Sequence, residues 1–488
     1  MPNITPFFQA FGPLLFGRAP RAQMEKVKRL DSLGELYELF GEFLPDHLLS
    51  MSEEGPNSRE RFFTPKVTFW AFVSQVLDVG SACRDAVRRV EAWWRWMQKD
   101  RTGEPPLSPS AYCQARARLD METLRLIHGH LAWSLDRRVA GAQLWLGRKV
   151  KIVDGTTLSM PDTPGNQQSW PQPSTQKEGL GFPCMKLTGI FSLASGALED
   201  YATGTLHQHE SVLFRSLWNN LEKGDVMLGD RGFCSYGALA GLARRGIDSV
   251  LRLHQARKVS FREGRRLGKD DRLVTWQKPV QRLEAWSLEE WAALPESLSL
   301  RLIRLYVSTP GFRTREVTLA TTLTDATACP ADAIRALYAQ RWEVELHFHQ
   351  IKILLGLDIL RCKSPELVEK ETLMHIIAYN LIRLLMQQAA STHGATLGRI
   401  SFKGTLDTVR HFAAAIHAAR ATPRKQDALI EEMLAMIAAD CVPERPGRSE
   451  PRAKKRRAKN YHLLTKPRSE MTVPPHRNRP RLPIQKSA

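Results

Sequence analysis

Tyr338, Arg341, Glu345 and Lys352 stand three, four and seven residues apart along the chain. They combine one carboxylate with three side chains suited to phosphate. At 3.6 residues per turn all four fall within an arc of about 60° on a helix, so one face can present them to a cleft. A carboxylate placed there can hold a divalent cation, and the cationic neighbours can offset the charge of a phosphate backbone. Glu343 lies about 160° from Glu345 on the same geometry, which makes Glu345 the better candidate. Arg341 and Glu345 at i, i+4 also suit an ordinary surface ion pair worth about 0.2–0.5 kcal/mol. Further carboxylates are needed to tip the reading toward chemistry.

Two aspartates upstream supply them. Lys149-Val150-Lys151-Ile152-Val153 predicts a short strand that delivers Asp154 to its end, where Gly155 permits a sharp turn. Val226-Met227-Leu228-Gly229 predicts a second such strand, ending at Asp230 with Gly232 close behind. Each aspartate alone is an ordinary turn residue. Together with Glu345 they make three carboxylates, two at strand ends and one on a helix. That set suits two Mg2+ or Mn2+ ions, which prefer oxygen ligands. Two such ions about 4 Å apart can activate a water or a 3′-hydroxyl and steady the leaving oxygen in an in-line phosphoryl transfer.

The elements that must position these residues follow from pattern. Pro330 and Asp332 suit the start of a helix; Leu337, Val344, Phe348, Ile351 and Leu355 form its docking stripe, and Gly356 a stop. Between 146 and 254 strands are expected at the two aspartates, at 185–193, 197–204 and 249–253, with helices at 209–221 and 236–245. Residues 1–145 read as a helical N-terminal domain, with helix starts at Thr64-Pro65 and Ser108-Pro109. Its basic clusters, Arg84, Arg88, Arg89 and Arg95 among Trp93, Trp94 and Trp96, and Arg116 with Arg118, could grip a DNA backbone or form a solvated face. Residues 255–326 read as a β-rich insertion with strands at 273–276, 300–307 and 316–323. A basic loop there contains Arg257, Lys258, Arg262, Arg265, Arg266 and Lys269. Apolar helices are expected at 373–389 and across 402–440.

The three motifs, in this order, resemble the DDE transposases of bacterial insertion sequences, in the branch whose signature is Y-(2)-R-(3)-E-(6)-K. Tyr338, Arg341, Glu345 and Lys352 match that spacing, and Asp154-Gly-Thr-Thr and Asp230-Arg-Gly-Phe match the aspartate motifs. The resemblance implies an α/β fold: an RNase H-like core with a mixed sheet flanked by helices, over residues 146–390 with the insertion inside it. It also implies that Asp154, Asp230 and Glu345 bind two Mg2+ or Mn2+ ions and that Tyr338, Arg341 and Lys352 touch DNA phosphates at the element's end. The implied activity is cleavage at inverted repeats and strand transfer into target DNA by a homodimer in a synaptic complex. In some relatives an insertion tryptophan supports a flipped base during hairpin formation; Trp276, Trp286 and Trp291 are the candidates here, and packing is the competing role. A DNA nuclease without strand transfer, or a non-catalytic DNA-binding protein, are the rival functions.

Composition agrees with a polyanion partner. Lys and Arg number 70 against 51 Asp and Glu, giving +19. The Pro-rich tail 441–488 holds 14 Lys and Arg against three Glu, or +11 of that total, with Lys454-Lys455-Arg456-Arg457 at its centre. It reads as an extended arm beyond the C-terminal helical region 391–440. No apolar run approaches the roughly 20 residues of a membrane span, and Phe7–Phe16 lacks the marks of a signal peptide. A cytoplasmic, nucleoid-associated protein is expected. The seven cysteines are scattered without a Cys-x-x-Cys pair, which points to reduced thiols. His207-x-His209 and His347-x-His349 are poorly spaced for metal ligation on a helix.

Overall fold

The computed structural model describes residues 40, 43–44, 46–49, 62–97, 108–254, 257, 259–307, 315–419, 422–443, 464–467 and 470–471. Most of the basic tail, with Lys454 to Arg457, lies outside them, as do Lys258 and the side chains of Trp93, Trp94, Arg95 and Trp96.

Capping side chains and prolines start the N-terminal helices. Thr64 Oγ1 accepts the Val67 N–H at 3.2 Å ahead of α1 (Pro65–Leu77). After α2 (Cys83–Met97), Ser108 and Pro109 repeat the device at α3 (Pro109–Arg118), and Asp120 caps α4 (Met121–Arg137). Phe69, Trp70 and Phe72 of α1 are all buried, as suits a helix inside a core.

The sheet is built around β1 (Val150–Ser159). This strand runs antiparallel to β2 (Cys184–Ser192), which pairs in turn with β3 (Leu198–Thr205). On its other side β1 runs parallel to β4 (Val226–Gly229), and β4 parallel to β5 (Asp248–Arg252). The connections carry α5 (Pro164–Ser169), α6 (Glu210–Ser216) and α7 (Tyr236–Arg244). Three antiparallel strands followed by two parallel ones, joined by helices, form the RNase H-like core that was expected. The following segment supplies β6 (Arg265–Gly268), β7 (Asp271–Gln277), α8 (Leu288–Ala292), β8 (Ser297–Val307) and β9 (Arg315–Thr321). It is β-rich as expected, and it continues the same sheet: β9 pairs antiparallel with β5, giving the order β3-β2-β1-β4-β5-β9-β8-β7-β6. Trp276, Trp286 and Trp291 are buried in one apolar cluster with Trp218 and Phe233, so each has a packing role.

The helix expected from Pro330 to Leu355 has a continuous path but a changing winding. It consists of α9 (Ala331–Ala339), a 3₁₀ turn (Gln340–Trp342), α10 (Glu343–His349) and a π segment (Gln350–Leu354). The tight and wide turns alter the angular step, so the uniform 3.6-residue geometry does not apply over its whole length. Gly356 follows at φ +84°, a left-handed conformation suited to glycine at a helix end.

Behind it lies α11 (Pro365–His393), buried along most of its 29 residues. Its polar groups find partners in the β2–β3 turn: Tyr379 donates to the Gly196 carbonyl at 2.6 Å, Asn380 exchanges two hydrogen bonds with Leu198, and Arg383 Nε donates to Ser195 O at 3.0 Å. Together with α12 (Phe402–Ala419) and α13 (Pro423–Ala439), α11 joins the N-terminal helices and the sheet in one apolar cluster running from Phe40 to Ala438.

The basic clusters of the N-terminal helices divide. Arg84 and Arg88 are exposed. Arg89 is buried, donating to the Ser74 carbonyl and hydroxyl and pairing with Asp78. Arg116 is buried over the Phe72 ring at 3.8 Å and donates to Cys83 Sγ at 3.2 Å and Cys362 Sγ at 2.9 Å. Arg89 and Arg116 therefore hold the fold together, which corrects the expectation that they grip DNA.

Candidate active site

β1 does not end at Asp154. It continues to Ser159 with Asp154 opposite Gly189 and Gly155 opposite Thr188, so the expected turn at Gly155 is absent. What ends is the parallel partner. The β1–β4 register stops at Val153 opposite Gly229, and the next residue on β1 is Asp154 while the next after β4 is Asp230. Both aspartates thus occupy the carboxyl end of a parallel strand pair, where a crevice opens in α/β sheets.

Burial pushes the Asp154 carboxyl up to about 6. The Gly155 N–H, donating to Oδ1 at 2.8 Å, and the Arg341 charge oppose that rise, while Glu345 and Glu210 add to it. Asp154 therefore shares its surroundings with Arg341 and Glu345 of the downstream helix. Asp230 Oδ1 is buried and accepts no hydrogen bond; Arg252 Nη1 stands 3.7 Å from it. Tyr338 is buried, and its hydroxyl reaches the Gly229 carbonyl at 3.5 Å, a long contact that supports the strand end before Asp230. Burial raises its phenol pKa, opposed by Arg341, and Asp230 adds to the rise.

Arg341 is buried and donates Nη2 to Oε1 of the half-exposed Glu345 at 3.3 Å. Lys352, on the π segment, donates Nζ to Thr156 Oγ1 at 2.7 Å and to the Thr157 carbonyl at 3.1 Å. The helix is thereby fastened to β1 just past Asp154. Glu343 faces elsewhere: burial raises its pKa and its opposing charge is Arg383 of α11, so the two nearby glutamates have separate surroundings.

Two further residues stand here as well. Arg252 closes β5 beside Asp230. Glu210, which sequence reads as an early carboxylate of a helix, reaches the glycines of both aspartate motifs. A Cβ on Gly155 would lie 2.9 Å from Glu210 Oε1, and one on Gly232 3.6 Å from Oε2.

Among the described residues no three acidic, His or Cys side chains stand at metal-ligand spacing. The candidate donors are oxygens, one of them buried and without a donor, and burial disfavours the ionisation of Asp154 despite the Arg341 charge; a hard divalent cation prefers donors of this kind.

Residues 145–381 match the family model described as Transposase DDE domain. The chain is 28% identical over 449 residues to Transposase InsG for insertion sequence element IS4 of Escherichia coli (strain K12), an alignment covering 91% of this chain and 97% of that one. Among solved structures it is similar to the piggyBac transposase in a cryo-EM synaptic complex with hairpin DNA. The TM-score is 0.40 with 11% identity, covering 88% of this chain and 87% of that one.

Proposed function

The chain belongs to the DDE transposases of bacterial insertion sequences, and from that premise we propose that Asp154, Asp230 and Glu345 form its catalytic centre, cutting DNA at the element's ends and joining the cut strands to a target. The carrying observation is the meeting of Asp154 with Glu345 and Arg341 where the parallel β1–β4 pair ends beside Asp230. The enzyme is a polynucleotidyl transferase of DNA transposition.

Asp154, Asp230 and Glu345 would hold two Mg2+ or Mn2+ ions, which when bound supply an activated water or 3′-hydroxyl and a charge sink for the leaving oxygen. The chain's own residues do the positioning. Arg341 keeps Glu345 near the aspartates and brings a positive charge toward the scissile phosphate. Lys352 holds the helix against β1 through Thr156 and would offset backbone charge near the cut. Tyr338 steadies the strand end at Gly229; a phosphate contact would replace its long bond to that carbonyl. A homodimer pairing two ends is part of the same reading, with the helices of residues 1–145 as the end-recognising region and the basic tail as a non-specific DNA arm.

Asp154→Asn, Asp230→Asn and Glu345→Gln should each abolish Mg2+-dependent cleavage of end DNA while leaving its binding intact in a gel-shift assay. Cleavage that persists in all three variants would overturn the assignment. A strand-transfer assay with pre-cut ends separates a transposase from a nuclease, which yields no joined product.

A further inference from the structure

We propose that Glu210 supplies a fourth carboxylate to the cation centre, facing Asp154 and Asp230 across the glycines that follow them. The proposal rests on the reading of that centre given above.

Glu210 is held in place from two sides. His209 Nδ1 accepts the Ser211 N–H at 3.2 Å and lies 2.8 Å from the Ser211 hydroxyl, fixing the start of α6. Phe214, one helical turn on, packs edge-to-face on Phe233 with ring centres 5.4 Å apart. Phe233 belongs to the turn that Asp230 opens, so α6 is docked on the segment carrying that aspartate.

The carboxylate is then directed inward. A Cβ on Gly155 would stand 2.9 Å from Oε1 and 3.1 Å from Cδ, closer than packed atoms allow, and one on Gly232 would stand 3.6 Å from Oε2. Gly155 lies within a paired strand without a positive φ, so no turn or left-handed backbone demands glycine there. The space it leaves is filled by Glu210. Among the described residues the Glu210 side chain makes no hydrogen bond or ion pair, and the amide next to it is already given to His209. A carboxylate held without a partner beside Asp154 and the turn that carries Asp230 adds like-charge repulsion at Asp154. Two divalent cations would turn that repulsion into ligation, and carboxylate oxygens are the ligands Mg2+ and Mn2+ prefer.

Isothermal titration of the full-length chain with Mn2+ tests this without any reaction. Asp154→Asn and Asp230→Asn should each weaken Mn2+ binding. Glu210→Gln, of nearly the same shape, should weaken it at least tenfold at one site, with unchanged far-UV circular dichroism. Gly155→Ala, which displaces the carboxylate, should weaken it similarly and add little to Glu210→Gln. Wild-type Mn2+ affinity and stoichiometry in Glu210→Gln, with loss in the aspartate variants, would overturn the role of Glu210 and leave the centre standing. Unchanged Mn2+ binding in all of them would overturn the cation centre itself. Should Glu210→Gln not fold, Fe2+-directed hydroxyl-radical cleavage of the unmodified chain decides. Cuts near 154, 230 and 210 are expected, and absence of the cut near 210 overturns the proposal.

Discussion

Asp154 carries the most informative titration in the molecule, a carboxyl pushed up to about 6 mainly by burial. Such a group is neutral below that pH and charged above it. Cleavage should therefore rise between pH 5 and 7 and level off beyond. The linkage to folding runs the other way: a raised carboxyl favours the folded state below its unfolded pKa, and that contribution is lost as pH rises through about 6. A nearby cation favours the ionised form, so more Mg2+ should move the midpoint of the pH–rate profile downward. A midpoint indifferent to Mg2+ would argue against Asp154 as a ligand. At this scale residue type and spacing singled out Tyr338, Arg341, Glu345 and Lys352, and the structure pairs Arg341 with Glu345 and seats Lys352 on β1. Glu210, within a His209-Glu210 pair that resembles a recurrent element of the family, was read only as an early carboxylate of a helix, because it stands 56 residues beyond Asp154 and comes close to Gly155 only through the β1–β2–β3 meander. Buried Arg89 and Arg116 misled for the opposite reason, because a guanidinium in sequence carries no sign of the carbonyls and thiols waiting for it.

Among the elements, the helix after Pro330 and nearly every strand were legible from periodicity and stop signals. Where β1 ends was not. A glycine after an aspartate signals a turn locally, but cross-strand pairing with β2 carries the strand on to Ser159, and the space demanded by Glu210 explains the glycine instead. The 3₁₀ and π turns of the helix after Pro330 were also invisible, since spacing alone reads as a uniform winding; Tyr338 reaches β4 and Lys352 reaches β1. Lys352→Met removes both bonds to β1, and cleavage should fall at least tenfold while the helix content seen by circular dichroism is kept. Buried α11 offers a stability test. Tyr379→Phe leaves the Gly196 carbonyl without its donor, which should cost about 1–3 kcal/mol in urea denaturation.

Across the whole molecule, the N-terminal helices and the sheet share one apolar cluster through α11. Unfolding of residues 62–443 should accordingly be cooperative, with fluorescence and circular dichroism giving coincident urea transitions, and Trp70→Ala should cost about 3–5 kcal/mol. The basic tail makes a separate prediction from composition: deleting 444–488 should flatten the fall of DNA affinity with salt, because each lost phosphate contact lowers that slope. The sequence marked the tail by its charge and the core by its strands, but gave no hint that the insertion would extend the sheet, since edge pairing between β5 and β9 depends on residues about 70 positions apart. That pairing also sets an order of assembly. Glu345 leaves the ribosome about 190 residues after Asp154, roughly 10–40 s later at ordinary rates of synthesis, and only after the strands of the insertion. With Glu345 in the proposed catalytic role, a nascent chain would carry both aspartates long before it could cut, and incomplete translation products would be spared an active nuclease beside the genome that encodes them.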